Sequence, residues 1–170
     1  MVGPRQYGPV MAQRATAVLR VLFGVVFLSN GLAKLVPGIA HLPGGYYLID
    51  REGARNIIQH NAAHHPVALY HSLVFDAIVP NWAVFGPLVG LAETTAGLLL
   101  VLGLASALGA LLAALLSLHI QFSDATGPWL FEYAVEWVPL LCLVFMRSGL
   151  VWGLDGRIAR GGPGWRRWFA

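Results

Sequence analysis

Two long apolar runs of this 170-residue chain each carry an ionisable residue, Lys34 at the end of one and Glu93 within another. An ionisable side chain in hydrocarbon costs at least about 2.5–3.5 kcal/mol on insertion scales. Such residues persist where they face the interior of a helix bundle and find a partner, and they commonly mark a functional site. The two residues therefore constrain the fold at once: the helices that carry them must turn those faces toward each other.

Composition agrees with a membrane setting. Hydrophobic residues make up 57% of the chain and charged residues only 11%, against about 25% charged in soluble domains. The mean hydropathy is +0.66. The class expected is an all-α integral membrane protein, a four-helix bundle with a short helical extracytoplasmic segment between helices one and two. Spans are predicted at 15–35, 82–104, 106–122 and 129–151, with an outer cap at 36–81. Residues 15–156 thus form one membrane domain between an N-terminal tail, 1–14, and a basic C-terminal tail, 157–170. The first run lacks a clear small-residue cleavage site and reads as a retained helix.

Charge sets the expected orientation. Arg5 and Arg14 precede the first span, and Arg157, Arg160, Arg166 and Arg167 follow the last. The positive-inside rule puts both termini in the cytoplasm, which an even number of spans allows. The expected location is the plasma membrane. Trp82, Trp129 and Tyr133 mark outer ends and Trp152 an inner one. Trp165 and Trp168 among the terminal arginines suit a tail lying on an anionic leaflet. The net charge of +3 reflects these termini and does not imply nucleic acid.

The outer segment is too long for a bare loop. Pro43 and Gly44–Gly45 interrupt it, and short helices are expected at 52–61 and 66–79. In the second, Val67, Tyr70, Val74 and Ile78 recur at helical spacing. Asp50, Arg51, Glu52 and Arg55 read as a solvated helix start with local ion pairs.

Helical faces follow from about 100° per residue. Arg20, Asn30 and Lys34 fall within an arc of about 80° on the first span, with Gly24 and Gly31 beside them. Glu93 shares its face with Gly86, Gly90 and Gly97, where a neighbouring backbone can approach closely. Ala105, Gly109 and Ala113 repeat that small-residue stripe on the third span. On the fourth, Glu132, Glu136 and Arg147 lie within about 60°. Glu93 is about 16 Å along its helix from Trp82, and Glu136 about 10 Å from Trp129. All four helices thus bring polar residues to one zone in the outer half: Asn30, Lys34, Glu93, His119, Gln121, Glu132 and Glu136. Two readings stand side by side. Lys34 pairs with Glu93 or with Glu136 only to fix helix register, or the zone binds a small molecule or handles protons.

Other chemistries are weaker. A bis-histidine haem needs two intramembrane histidines, and His119 alone qualifies. The glycines lie in apolar helices, without the strand context of a dinucleotide-binding turn. Cys142, the single cysteine, excludes an intrachain disulfide and reads as an inert core residue. His60 and His64 stand at the spacing of two metal ligands, but no acidic partner sits at a fixed interval from them. They and His65 read instead as a helix end. Pro87 and Pro139 lie inside spans, and Pro139 is close enough to Glu136 to open a cavity beside it.

The runs LRVLFGVVFLSNGLAKL (19–35), FGPLVGLAETTAGLLLVLGLAS (85–106), the outer stretch 49–82, and EYAVEWVPLLCLVF followed by GLD (153–155) resemble, in order, parts of the DoxX/DoxD membrane protein family. The resemblance covers most of residues 14–156 and matches Lys34, Glu93 and Glu132–Tyr133 to family polar positions. It implies a four-helix membrane bundle. The family includes subunits of an archaeal thiosulfate:quinone oxidoreductase and bacterial members associated with redox proteins. The first functional expectation is therefore a membrane subunit of a redox or respiratory system whose buried polar site takes quinone or a small solute. In that reading Lys34 or His119 donates to a carbonyl, and Glu93 or Glu136 relays protons. No covalent cofactor is implied. The partners would be the bilayer and other subunits or further copies of the chain. The alternatives are a non-catalytic anchor or accessory subunit and, ranked lower, a small-solute transporter.

Overall fold

The computed structural model describes residues 7–43, 48–125 and 133–161. Glu132, Trp129, Gly44–Gly45 and the tail tryptophans and arginines beyond 161 lie outside the described residues. The described chain is helical. Three helices, α1 (Tyr7–Leu35), α4 (Trp82–Leu102) and α5 (Ser106–Ser123), are long and apolar enough to cross a membrane. Between α1 and α4 lie α2 (Arg51–Ala63) and α3 (Ala68–Ser72), the latter continuing as a π-helical turn, Leu73–Ile78. After α5 come the apolar α6 (Ala134–Phe145), a 3₁₀ turn, Ser148–Leu150, and α7 (Leu154–Gly161).

The surface of the long helices is inverted relative to a water-soluble fold. Leu22, Leu91, Leu115 and Val135 are all exposed, whereas Ala17, Ala96, Ala110 and Ala113 are fully buried. Lipid tails already solvate leucine, so helices gain by packing small residues backbone to backbone. The α1–α4 pair is the most extensive contact in the fold. A Cβ built on Gly97 would lie 2.3 Å from the Leu28 backbone nitrogen, and one on Gly31 would lie 2.4 Å from that of Thr94. The glycines of both helices are thus the contact itself. Helix α5 packs on α4 and on α6, around Phe27, Leu100, Leu140 and Leu143.

Helix α1 begins well before the apolar run. Pro9 falls in its first turn, where no backbone donor is needed, so nothing stops the helix there. At the other end of the chain the helix boundary comes earlier than predicted. α6 stops at Phe145, not at 151, and Arg147 adopts a left-handed conformation with φ 46°. Arg147 is therefore not on an arc with Glu136. The reason lies in Arg20, which is fully buried. Its guanidinium donates to the carbonyls of Ser148 at 2.6 Å and of Val151 and Trp152 at 3.3 Å each. A continuing helix would have consumed acceptors that a buried cation requires.

Asp155 completes this end. It accepts the Ala105 and Ser106 backbone N–H groups at 2.7 and 2.9 Å, so a carboxylate sits on the positive N-terminus of α5. Ser106 Oγ in turn accepts the Gly149 N–H. The tight α4–α5 turn passes through Gly103 and Ala105, both left-handed, and the Asp155 N–H caps the Gly103 carbonyl at 2.8 Å.

At the opposite end, Asp50 caps α2 through the Gly53 N–H at 2.7 Å. Glu52 and Arg55 form the expected local pair at 3.8 Å. Arg51 does not belong to a solvated start. It turns inward, donates to the Lys34 carbonyl at 3.1 Å, and packs its stem on Gly86. Tyr70 and Val74 are buried with Ala62, but Val67 is exposed. Val67 precedes the first turn of α3, and the π turn re-aims the following residues. Cys142 corrects another expectation: it is exposed on α6, not part of the core.

Two substitutions test this scaffold. Gly97→Val forces α1 and α4 apart and should cost about 1–3 kcal/mol or more, read as a lower thermal midpoint in detergent, while Leu91→Val on the exposed face leaves it unchanged. Asp155→Ala should cost about 1.5–3 kcal/mol by orphaning two buried donors; retention of the wild-type midpoint would show that the clasp is dispensable.

Candidate functional site

Lys34 ends the last turn of α1, and Glu93 sits mid-way along α4 on its glycine face. The glycines bring the two backbones so close that the side chains meet. Lys34 Nζ lies 2.8 Å from Glu93 Oε2, with the two side chains only 5% and 10% exposed. Lys34 also donates to the Asn30 carbonyl at 3.4 Å. An ammonium has three hydrogens, so one remains after these bonds. Glu93, not Glu136, is thus the carboxylate that Lys34 pairs with.

The pair forms one wall of a cavity of about 440 Å³. Asn30, His119, Tyr133 and Glu136 contribute the other main polar groups, so helices α1, α4, α5 and α6 all reach it. Its remaining lining is mainly apolar, with Phe27, Trp82 and Phe85 prominent and Ile57 and Ile58 of α2 across the top. Phe85 and Ile57 are themselves 36% and 42% exposed, so the wall runs out to the molecule's surface. A mainly apolar cleft with a few convergent polar groups is the ordinary form of a small-molecule site.

The polar groups divide into two poles. Lys34 and Glu93 occupy the α1–α4 side. On the α5–α6 side, Glu136 accepts the Ser117 hydroxyl at 3.0 Å. Asn30 is largely committed to the backbone. Its amide donates to the Val26 carbonyl at 3.1 Å and its oxygen accepts the Ile49 N–H at 3.2 Å, tying the approach to α2 onto α1. Gln121 does not line the cavity, since it accepts the Trp137 indole N–H instead. Glu132 lies outside the described residues.

The histidines of the 36–81 segment do other work. His60 and His64 stack with ring centroids 5.0 Å apart, and His64 Nδ1 bonds the His60 carbonyl at 3.0 Å. No group of three metal-ligating side chains occurs among the described residues. His65 is buried and pins α2 to α5. Its Nδ1 accepts the Val67 N–H at 3.1 Å, which leaves Nε2 to donate to the Phe122 carbonyl at 2.9 Å. Burial pushes the neighbouring Tyr70 phenol above its ordinary pKa, opposed by the Ser123 hydroxyl.

Ser117 was not singled out from the sequence. It extends the Ala105, Gly109, Ala113 stripe by one more four-residue step, and that regularity could have found it. Asp155 entered only as the last residue of GLD (153–155), with no role; it is the lone acidic residue among terminal arginines. Arg51 was read as part of a solvated helix start, because one helix start with mixed charges looks like another.

Comparison with protein-family models, with curated proteins and with solved structures gives no match.

Removing one partner of the Lys34–Glu93 pair leaves the other as an uncompensated buried charge. Lys34→Met or Glu93→Leu alone should cost about 3–5 kcal/mol, and the double variant should recover most of it. A double-mutant cycle on detergent unfolding reads this directly; additive losses would show that the two charges are not coupled.

Proposed function

We propose that the chain is a four-helix integral membrane protein of the plasma membrane, with α1, α4, α5 and α6 as its spans. The α2–α3 end forms an outer cap and both termini are cytoplasmic. The proposal assigns it the role of a membrane subunit in a redox or respiratory system. Its cavity would take a quinone-type headgroup. The resemblance to the DoxX/DoxD family supplies the redox context.

The observation that carries this reading is the placement of the Lys34–Glu93 pair in the wall of an apolar cavity. A pair that served only helix register has no need of an adjoining space of about 440 Å³. A quinone needs a greasy cleft, donors for its carbonyl oxygens, and groups that give and take protons. The remaining ammonium hydrogen of Lys34 and the ring of His119 suit the second requirement. Glu93 and Glu136 suit the third. Phe85 and Ile57, at the edge of the cavity, offer an isoprenoid tail a path into lipid.

The test is titration of the protein in lipid nanodiscs with a short-chain ubiquinone analogue, followed by tryptophan fluorescence, since Trp82 is in the wall. Saturable binding is expected, weakened about tenfold or more, or about 1.4 kcal/mol, in Lys34→Gln. Absence of binding, or equal binding by Lys34→Gln and Glu93→Gln, would sink the reading. Gentle membrane purification with mass spectrometry then identifies the redox partner.

A further inference from the structure

The quinone reading uses Glu136, at the second pole of the cavity, only to handle protons and leaves the charge imbalance of that pole unexplained. Lys34 is the only lysine in the chain and is already bound to Glu93. Glu136 has one neutral partner, the Ser117 hydroxyl. Among the described residues no cation lies within ion-pair distance of it. Residues 121–146 include no lysine, arginine or histidine, and His119, just before that stretch, lines the same cavity. Glu136 is half-buried in the first turn of α6, and a carboxylate facing an apolar cavity gains from a positive charge placed against it.

The surroundings favour an organic cation over a hydrated metal ion. No group of three or more His, Cys, Asp or Glu side chains that could hold a metal occurs among the described residues. Phe27, Trp82, Phe85 and Tyr133 instead line the same space, and aromatic faces attract a soft, weakly hydrated cation. The other titratable or charged groups facing the cavity are Lys34 from α1, Glu93 from α4, His119 from α5 and Tyr133 beside α6. Helix α2 contributes apolar side chains there. Its Arg51 and Arg55 are directed to the Lys34 carbonyl and to Glu52.

We infer that the Glu136–Ser117 pole is a binding site for lipophilic organic cations, such as hydrophobic amines, with the Glu136 carboxylate as the counter-charge. Ser117 donates its hydroxyl to that carboxylate and holds it in place. Binding is an ion pairing with no covalent or redox step. This inference rests on the charge of Glu136, whereas the quinone reading rests on Lys34 and uses Glu136 only as one of two proton-handling groups.

The probe is tetraphenylphosphonium, a permanent cation that has no proton of its own to lose. Binding to the full chain in nanodiscs is measured by calorimetry across pH, with neutral triphenylphosphine oxide as the comparison. Tetraphenylphosphonium should bind more weakly as pH falls, because protons compete for Glu136. Glu136→Gln should lose about tenfold or more in affinity and lose the pH dependence, whereas Glu136→Asp retains both in part. The double variant Lys34→Gln/Glu93→Gln, which leaves no unpaired charge at the first pole, should keep cation binding while losing the quinone analogue, so failure of either idea is separable from failure of the other. An unchanged thermal midpoint in Glu136→Gln confirms that the fold is intact. If folded Glu136→Gln binds the cation as wild type does, or if the neutral comparison binds with the same affinity and pH profile, the inference is overturned.

Discussion

A charge in hydrocarbon has no water to fall back on, and much of this fold answers that one constraint. The Lys34–Glu93 contact is its clearest expression. To bring an ammonium within 2.8 Å of a carboxylate on a neighbouring helix, the helices must touch along a face with almost no side chains. Gly31, Gly90 and Gly97 provide that face, and the α1–α4 pair becomes the spine of the molecule. The pair is weak evidence of stability in itself, since desolvation consumes much of the Coulomb gain. Its value is specificity: one register of α1 on α4 satisfies both charges, and others leave them bare.

The same constraint acts at the other end, in a different currency. Among the described residues, Arg20 has no carboxylate at ion-pair distance. It is surrounded by carbonyls that become available because α6 ends and the chain turns. Asp155 supplies the attracting charge nearby while spending its oxygens on the α5 N-terminus. Two polar clusters, one at each end of the long helices, thus fasten what the apolar middle packs. The cavity sits at the Lys34–Glu93 end, where α2 folds over the long helices. The cavity wall holds one charged group whose partner is known and one, Glu136, that has no ion-pair partner among the described residues. That asymmetry is what gives the site a chemistry as well as a shape.

Helical faces were legible in the sequence because the period of an α-helix is fixed by its backbone hydrogen bonds. The glycine stripes of α1 and α4, the direction in which Glu93 points, and the tight α4–α5 turn all follow from that period. Contacts between helices were less legible. Lys34 could reach Glu93 or Glu136 as far as spacing was concerned, and helix order in the bundle is set by packing. Arg147 shared an angular sector with Glu136 only if α6 continued, and buried Arg20 ended it. Cys142 looked like core because its neighbours are apolar, yet in lipid an apolar neighbourhood says nothing about which side faces the protein.

The sequence by itself determined that this chain is helical and apolar enough for a membrane; it counted four spans, of which the structure shows three as long and apolar enough to cross among the described residues. It also determined that its few ionisable residues must turn inward, because hydropathy and helical periodicity are local properties of the chain. Only the tertiary structure decided which charges meet, that Ser117 and not Lys34 attends Glu136, and that a space opens between the two poles. Those are properties of distances between segments far apart in sequence, fixed by how closely glycine faces let backbones approach and by where a buried arginine draws the chain out of its helix.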